Sequence, residues 1–163
     1  MDALIDEILL MSRLDSGSHA DLSQDIDLVA LAAEEGARYP DCLLSGGAPG
    51  ISGDPRLLRR LVRNLLENAH NHGAPPVEIE LSSTAKTATL MVRDGDDGVP
   101  EAGREKVFQP FYRASDCQNV RWYGLGLPLA RQIAEAHGAT IALLPRSEAR
   151  SAIRVTFPRP KYG

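Results

Sequence analysis

The stretch "RNLLENAHNHG", residues 63–73, decides the fold. At roughly 100° per residue, Leu57, Leu58, Leu61, Val62, Leu65, Leu66 and Ala69 make one continuous apolar stripe, so the run 53–73 is predicted to be a helix. Asp54 suits its N-cap, Pro55 its first turn, and Gly73 follows its end. Asn64 and Asn68 fall together at one edge of the stripe, beside Leu57 and Leu61. Asn71 and His72 lie on or near the same edge, and Glu67 points away into solvent. Two aligned, half-buried amides need hydrogen-bond partners. Neighbouring loops can supply them, or the carbonyl oxygens can face a hard cation. Mg²⁺ takes oxygen ligands, keeps several waters and shares substrate phosphates.

Working outward, "MDALIDEILLMSRLD" (1–15) reads as a helix with Met1, Leu4, Ile8 and Met11 at coiled-coil spacing. Its partner is either the rest of the domain or a second chain. "SGSHADLS" breaks the pattern. "QDIDLVALAAEEGARYP" reads as a short strand running into a helix with Asp27 at its N-cap, ended by Pro40. "DCLLSGGAPGIS" is a strand, a Gly/Pro turn and a second short strand. "VEIELSS" and "TATLMVRDG" form a predicted hairpin. "LPLARQIAEAHG" is a helix with Pro128 in its first turn and Gly138 after its end. The strands "TIALLP" and "AIRVTFP" close the chain. Strands and helices mix without strict alternation, which predicts α+β with helices on one face of a sheet.

The chain of 163 residues is 43% hydrophobic and 25% charged, an ordinary globular balance with enough length for one core. The net charge of −4 and basic residues read as scattered predict no nucleic-acid partner. Cys42 and Cys117 form no CxxC pair, so zinc and redox sites gain no support; the two thiols could form one disulfide, but a reduced cytoplasmic compartment is expected. No apolar run approaches the ~18 residues of a membrane span, and Asp2 follows Met1 where a signal peptide would be basic.

Residues 94–124 are predicted to be irregular, and a loop that long inside a compact domain is usually functional. Asp94 closes a strand beside Gly95 and Gly98. There a carboxylate can accept a hydrogen bond from an exocyclic amine, and glycines let the backbone approach a flat ligand. Gly124 and Gly126 precede a helix, where exposed N–H groups and the helix dipole favour phosphate. Between them, Phe108, Phe111 and Tyr112 can anchor a loop that carries Arg113. Each piece also has a plain reading: an acidic turn, a glycine before a helix, a minor core cluster.

Their order and spacing together are specific. "GDPRLLRRLVRNLLENA" resembles the N box of sensor histidine kinases, "RDGDDGVP" the G1 box, "VFQPFYR" the F box and "GLGLPLARQIAEAHG" the G2 box. The resemblance covers about residues 20–160. "LLMSRLDSG" is similar to the end of the second dimerisation helix, which would make residues 1–16 a helical stub ahead of a catalytic domain at 20–160. The resemblance implies the Bergerat fold: a two-layer α/β sandwich with a mixed sheet of about five strands and about three helices on one face. It implies ATP and Mg²⁺ as ligands. Asn68 would ligate the metal with support from Asn64, and Asp94 would bond the adenine amine. Gly124, Leu125, Gly126 and Leu127 would meet the phosphates, and 114–123 would be the lid. Asn71, His72, Asp96, Gly98, Val99, Phe108 and Tyr112 would complete the nucleotide site. Arg113 would stabilise the transferring γ-phosphoryl group, with Asn64 beside it in the catalytic set. The related gyrase, mismatch-repair and chaperone ATPases place a glutamate where this chain has Asn64, which favours kinase over hydrolase. The expected partners are a histidine-bearing dimerisation domain and a response regulator. The chain itself is expected to be monomeric and cytoplasmic, within a homodimeric protein anchored in the bacterial inner membrane.

Three positions depart from the pattern. Asp96 replaces the first G1 glycine, Trp122 stands where the G2 box opens with glycine, and Asn71 replaces a basic residue for which His70 or His72 could compensate. All three touch phosphate or lid, which predicts weakened or unusually regulated catalysis. The alternative is a degenerate module that acts by interaction. None of His19, His70, His72 and His137 sits in a phosphoacceptor motif.

Overall fold

In the computed structural model, residues 2–15, 22–47, 50–72, 74–95, 108, 126–147 and 150–159 are described. Helix α1 spans Asp2–Asp15 and α2 Leu28–Gly36. Helix α3 runs Pro55–His72 and α4 Gly126–Ala136. The strands are β1 (Gln24–Ile26), β2 (Cys42–Gly46), β3 (Ile51–Gly53), β4 (Val77–Ser83), β5 (Thr87–Asp94), β6 (Thr140–Ser147) and β7 (Arg150–Pro158).

Five strands form one mixed sheet in the order β2-β4-β5-β7-β6. β2 lies parallel to β4, and the other three pairings are antiparallel. The β4–β5 hairpin matches its alternation: Val77, Ile79 and Leu81 face one side with Ala88, Leu90 and Val92, all buried. That face receives the helices, and the period-2 pattern forces the register because a one-residue slip would expose the whole set. β1 and β3 form a separate antiparallel ribbon. The α+β sandwich expected from the sequence is thus present.

α3 is the central helix. Leu58, Leu61, Val62, Leu65 and Leu66 are completely buried, with Leu57 and Ala69 at the margins. Asp54 caps it by accepting hydrogen bonds from the Arg56 and Leu57 amides at 3.0 and 3.4 Å, which satisfies two of the helix's orphan donors. Asp27 caps α2 in the same way through Ala30 at 3.1 Å. α2 ends at Gly36, before Pro40; the Arg38 and Tyr39 amides turn back onto the Glu35 and Gly36 carbonyls. The helix therefore closes by its own turn and not by the proline.

α1 is apolar on two faces. Leu10, Met11 and Leu14 pack on the core, whereas Ile5, Ile8 and Leu9 are exposed. The expected seam is therefore split: Met11 turns to the domain and Ile8 does not. Among the described residues, no helix is long and apolar enough to cross a membrane.

Candidate functional site

The two edges of α3 meet different neighbours. On one edge Asn64 is buried, at 3% exposure, rather than half-buried as its place on the stripe predicted. Its side-chain Nδ2 donates to the Gly126 carbonyl at 3.1 Å. Gly126 is the first residue of α4, so the amide of the central helix fixes where α4 begins. This also answers what Asn64 bonds: its nitrogen is committed to a neighbouring backbone. Asn68, one turn on, is half-buried, and Asn71 is exposed. Leu127 is buried beneath the start of α4. A Cβ on Gly126 would meet no atom of the described residues within 4 Å.

Asp94 ends β5 and is buried at 8% exposure. Its Oδ1 accepts from the Ala74 amide at 3.4 Å, and the Gly95 amide donates to the Ala74 carbonyl at 2.6 Å. Ala74 lies two residues past α3, so the exit of the asparagine helix holds the aspartate. A Cβ at Gly95 would lie 2.6 Å from the Pro75 carbonyl oxygen. Glycine is therefore required here by the close approach of the Pro75 carbonyl. Ser151 on β7 is paired directly opposite Asp94 and is equally buried. Sequence reasoning missed it. Its signal, a lone hydroxyl at the start of an apolar strand, gains meaning only once the β5–β7 register is known.

Phe108 is buried in the main core, with the Arg131 guanidinium 5.6 Å from its ring centroid. Phe108 alone of the aromatic segment is described, and its burial fits both the anchoring and the core-cluster readings. Asp96, Gly98, Val99, Tyr112, Arg113, Trp122, Gly124 and Leu125 lie outside the described residues, as does the side chain of His72. His70 is placed, and not beside the asparagines. Its ring stacks on Tyr39 at 3.8 Å and its Nδ1 bonds the Leu66 carbonyl. Two residues beyond Asn68 is roughly 200° round a helix, so His70 falls on the opposite edge and cannot stand in for a basic residue at 71.

That opposite edge is ionic. Glu35 on α2 is buried and accepts from Arg59 at 3.1 Å and from Arg63 at 2.9 and 3.3 Å. Arg38 lies 3.6 Å away, and Arg59 also pairs with Glu34 at 2.8 Å. Burial raises the Glu35 carboxyl. Hydrogen bonds from Arg63 and Arg59, with the charges of Arg63 and Arg38, outweigh it and hold the group below its ordinary range. The basic residues are thus not wholly scattered: Arg56, Arg59, Arg60 and Arg63 line one groove with Pro55.

A mixed sheet, an asparagine-bearing central helix and a glycine-started helix fastened to it define an ATPase-type sandwich of the Bergerat class. A profile of the histidine kinase-, DNA gyrase B- and HSP90-like ATPases matches residues 53–161, and the chain belongs to that family. The heme sensor protein HssS of Staphylococcus saprophyticus is 29% identical over 169 residues, covering 98% of this chain and 36% of its own length. The sensor-type histidine kinase PrrB of Mycobacterium bovis is 37% identical over 139 residues, covering 81% of this chain and 31% of its own length. The solved ATP binding domain of PrrB from Mycobacterium tuberculosis superposes with a TM-score of 0.68 at 32% identity, over 86% of this chain and all of that one. The chain thus spans about a third of the length of these curated relatives.

Proposed function

We propose that this chain is the nucleotide-handling domain of a sensor histidine kinase. It binds Mg·ATP and transfers the γ-phosphoryl group to a histidine on a dimerisation domain, for relay to a response regulator. The observation that carries this reading is the bond from Asn64 to Gly126. It sets the helix bearing Asn68 against the first turn of α4, and a helix start is where backbone N–H groups favour phosphate.

The residues present fit a magnesium ion. Asn68 is half-buried one turn beyond the fastened Asn64 and carries an amide oxygen, and Mg²⁺ is commonly held by one or two protein oxygens plus phosphate and water. When bound, the ion supplies neutralisation of phosphate charge. Asp94, buried and oriented by Ala74, accepts the adenine amine. Gly124 and Gly126 turn backbone amides to the phosphates, and Arg113 balances charge on the group in transfer. Residues 1–16 are the end of the dimerisation helix in this reading. The domain works in the cytoplasm within a membrane-anchored dimer.

Titration with Mg·ATP tests the proposal, followed by Trp122 fluorescence and by calorimetry. Saturable binding is expected, weakened at least tenfold in Asn68→Ala and Asp94→Asn. Label from γ-labelled ATP should then pass to a histidine-bearing dimerisation domain added in trans. Absence of binding in the wild-type chain would overturn the reading. It would leave an interaction module, as Asp96 and Trp122 suggest.

A further inference from the structure

His137 is a buried histidine with no part in the site described above. It follows the last residue of α4, where Gly138 at φ +70° and the Ala139 amide on the Ala134 carbonyl close the helix, an arrangement that fixes the residue before the glycine. Both ring nitrogens are engaged. Nδ1 lies 2.8 Å from the Ile133 carbonyl, and Nε2 lies 3.0 Å from the Asp54 amide. A carbonyl only accepts and a backbone N–H only donates, so Nδ1 carries the proton and Nε2 accepts. The partner is not incidental, since Asp54 is the residue that caps α3. Gly53 beside it leaves just enough room, because a Cβ there would lie 2.8 Å from the imidazole.

α3 and α4 are therefore fastened at two points, by Asn64 to Gly126 and by Asp54 to His137. The spacings match. Ten residues separate 54 from 64 and eleven separate 126 from 137, about 15 and 16.5 Å of helix at 1.5 Å per residue. Two fasteners of equal span on antiparallel helices remove sliding of one past the other. A single one would leave α4 free to pivot, since apolar contacts are non-directional.

We infer that His137 is a positioning residue for the nucleotide site, holding α4 in register on α3 so that the start of α4 stays at Asn64, one turn from Asn68. The inference rests on the nucleotide reading above. His137 touches neither phosphate nor metal; it acts through the two helices.

The test compares His137→Phe, which fills the space without an acceptor, with His137→Gln, whose Oε1 can still accept from Asp54. His137→Phe should weaken Mg·ATP binding about tenfold, because ångström-scale misplacement of positioned groups costs that order or more. His137→Gln should stay within about twofold of wild type, since it keeps the acceptor. Independently of nucleotide, the side-chain amide protons of Asn64 should exchange faster with solvent in His137→Phe, read by NMR. Gly53→Ala, which crowds the imidazole and Leu58 without removing the ring, should reproduce the loss of affinity, and it decides the matter if His137→Phe does not fold. Wild-type affinity with unchanged Asn64 protection in His137→Phe would overturn the inference. So would an equal loss in His137→Gln, or wild-type affinity in Gly53→Ala. If the wild-type chain binds no Mg·ATP, the nucleotide reading fails, and Asn64 exchange alone still decides whether His137 sets the register.

Discussion

The two flanks of α3 are built from opposite materials. Toward α2 the contact is ionic, with one buried carboxylate under three arginines. Toward α4 it is neutral, with an asparagine amide and an imidazole each meeting a backbone group. A charge-assisted pair between long side chains adds strength and responds to pH. A neutral hydrogen bond to a backbone group is short-ranged and directional. The flank that borders the candidate site carries the directional kind. The flank away from it carries charged side chains at both ends of each bond, so it joins side chain to side chain and leaves the backbone of α4 untouched.

The largest expected effect removes what both flanks share. Leu65 is fully buried in the apolar stripe, and Leu65→Ala should cost about 3 kcal/mol. Urea denaturation should show one cooperative transition moved to lower concentration. Two transitions would mean that the flanks unfold separately, and the comparison would then be between two weakly coupled units.

Next in size is the ionic flank. Glu35→Gln leaves Arg59 and Arg63 without their charged acceptor and should cost about 2 kcal/mol, in the range for hydrogen bonds to charged groups. Nucleotide affinity should not change. The pH dependence has a definite sign. The carboxyl is depressed in the folded state, so its contribution is complete above its unfolded value and disappears as pH falls through the folded one. The gap in stability between wild type and Glu35→Gln should therefore be full at neutral pH and close progressively below about pH 4. A gap that is constant across this window would show that the arginines contribute by packing rather than charge.

Much of this frame was legible in the sequence, because periodicity is a property of neighbours along the chain. The stripe from Leu57 to Ala69, the caps at Asp27 and Asp54 and the β4–β5 alternation all depend on residues within a turn or two of one another. What stayed hidden depends on distant residues brought together. Nothing near Asn64 says that its nitrogen meets the carbonyl of residue 126, and nothing near His137 points to Asp54. The deeper burial of Asn64 follows from that partner. His70 was misjudged for the same reason, since its role is set by Tyr39 on another element. Ser151 needed the register of β7. The close approach of the Pro75 carbonyl to Gly95 likewise needed the fold.

The smallest effect sharpens the contrast most. Arg131 on α4 lies over the Phe108 ring and 3.5 Å from Glu135, and its side chain is 40% exposed. A partly solvated guanidinium over an aromatic ring contributes about 0.5–1 kcal/mol, and an i,i+4 surface pair a few tenths more, screened by salt. Arg131→Met keeps the apolar stem against the ring and removes only the charge. It should cost about 1 kcal/mol in low salt and leave the burial of Phe108 intact, because that ring sits in the apolar core. Denaturation midpoints in low and high salt would measure this. A loss as large as that of Glu35→Gln would mean that charge also holds the α4 side, and the division of labour between the two flanks of α3 would fall. A small, salt-sensitive loss would leave the neutral bonds at Asn64 and His137 as the groups that set where α4 lies.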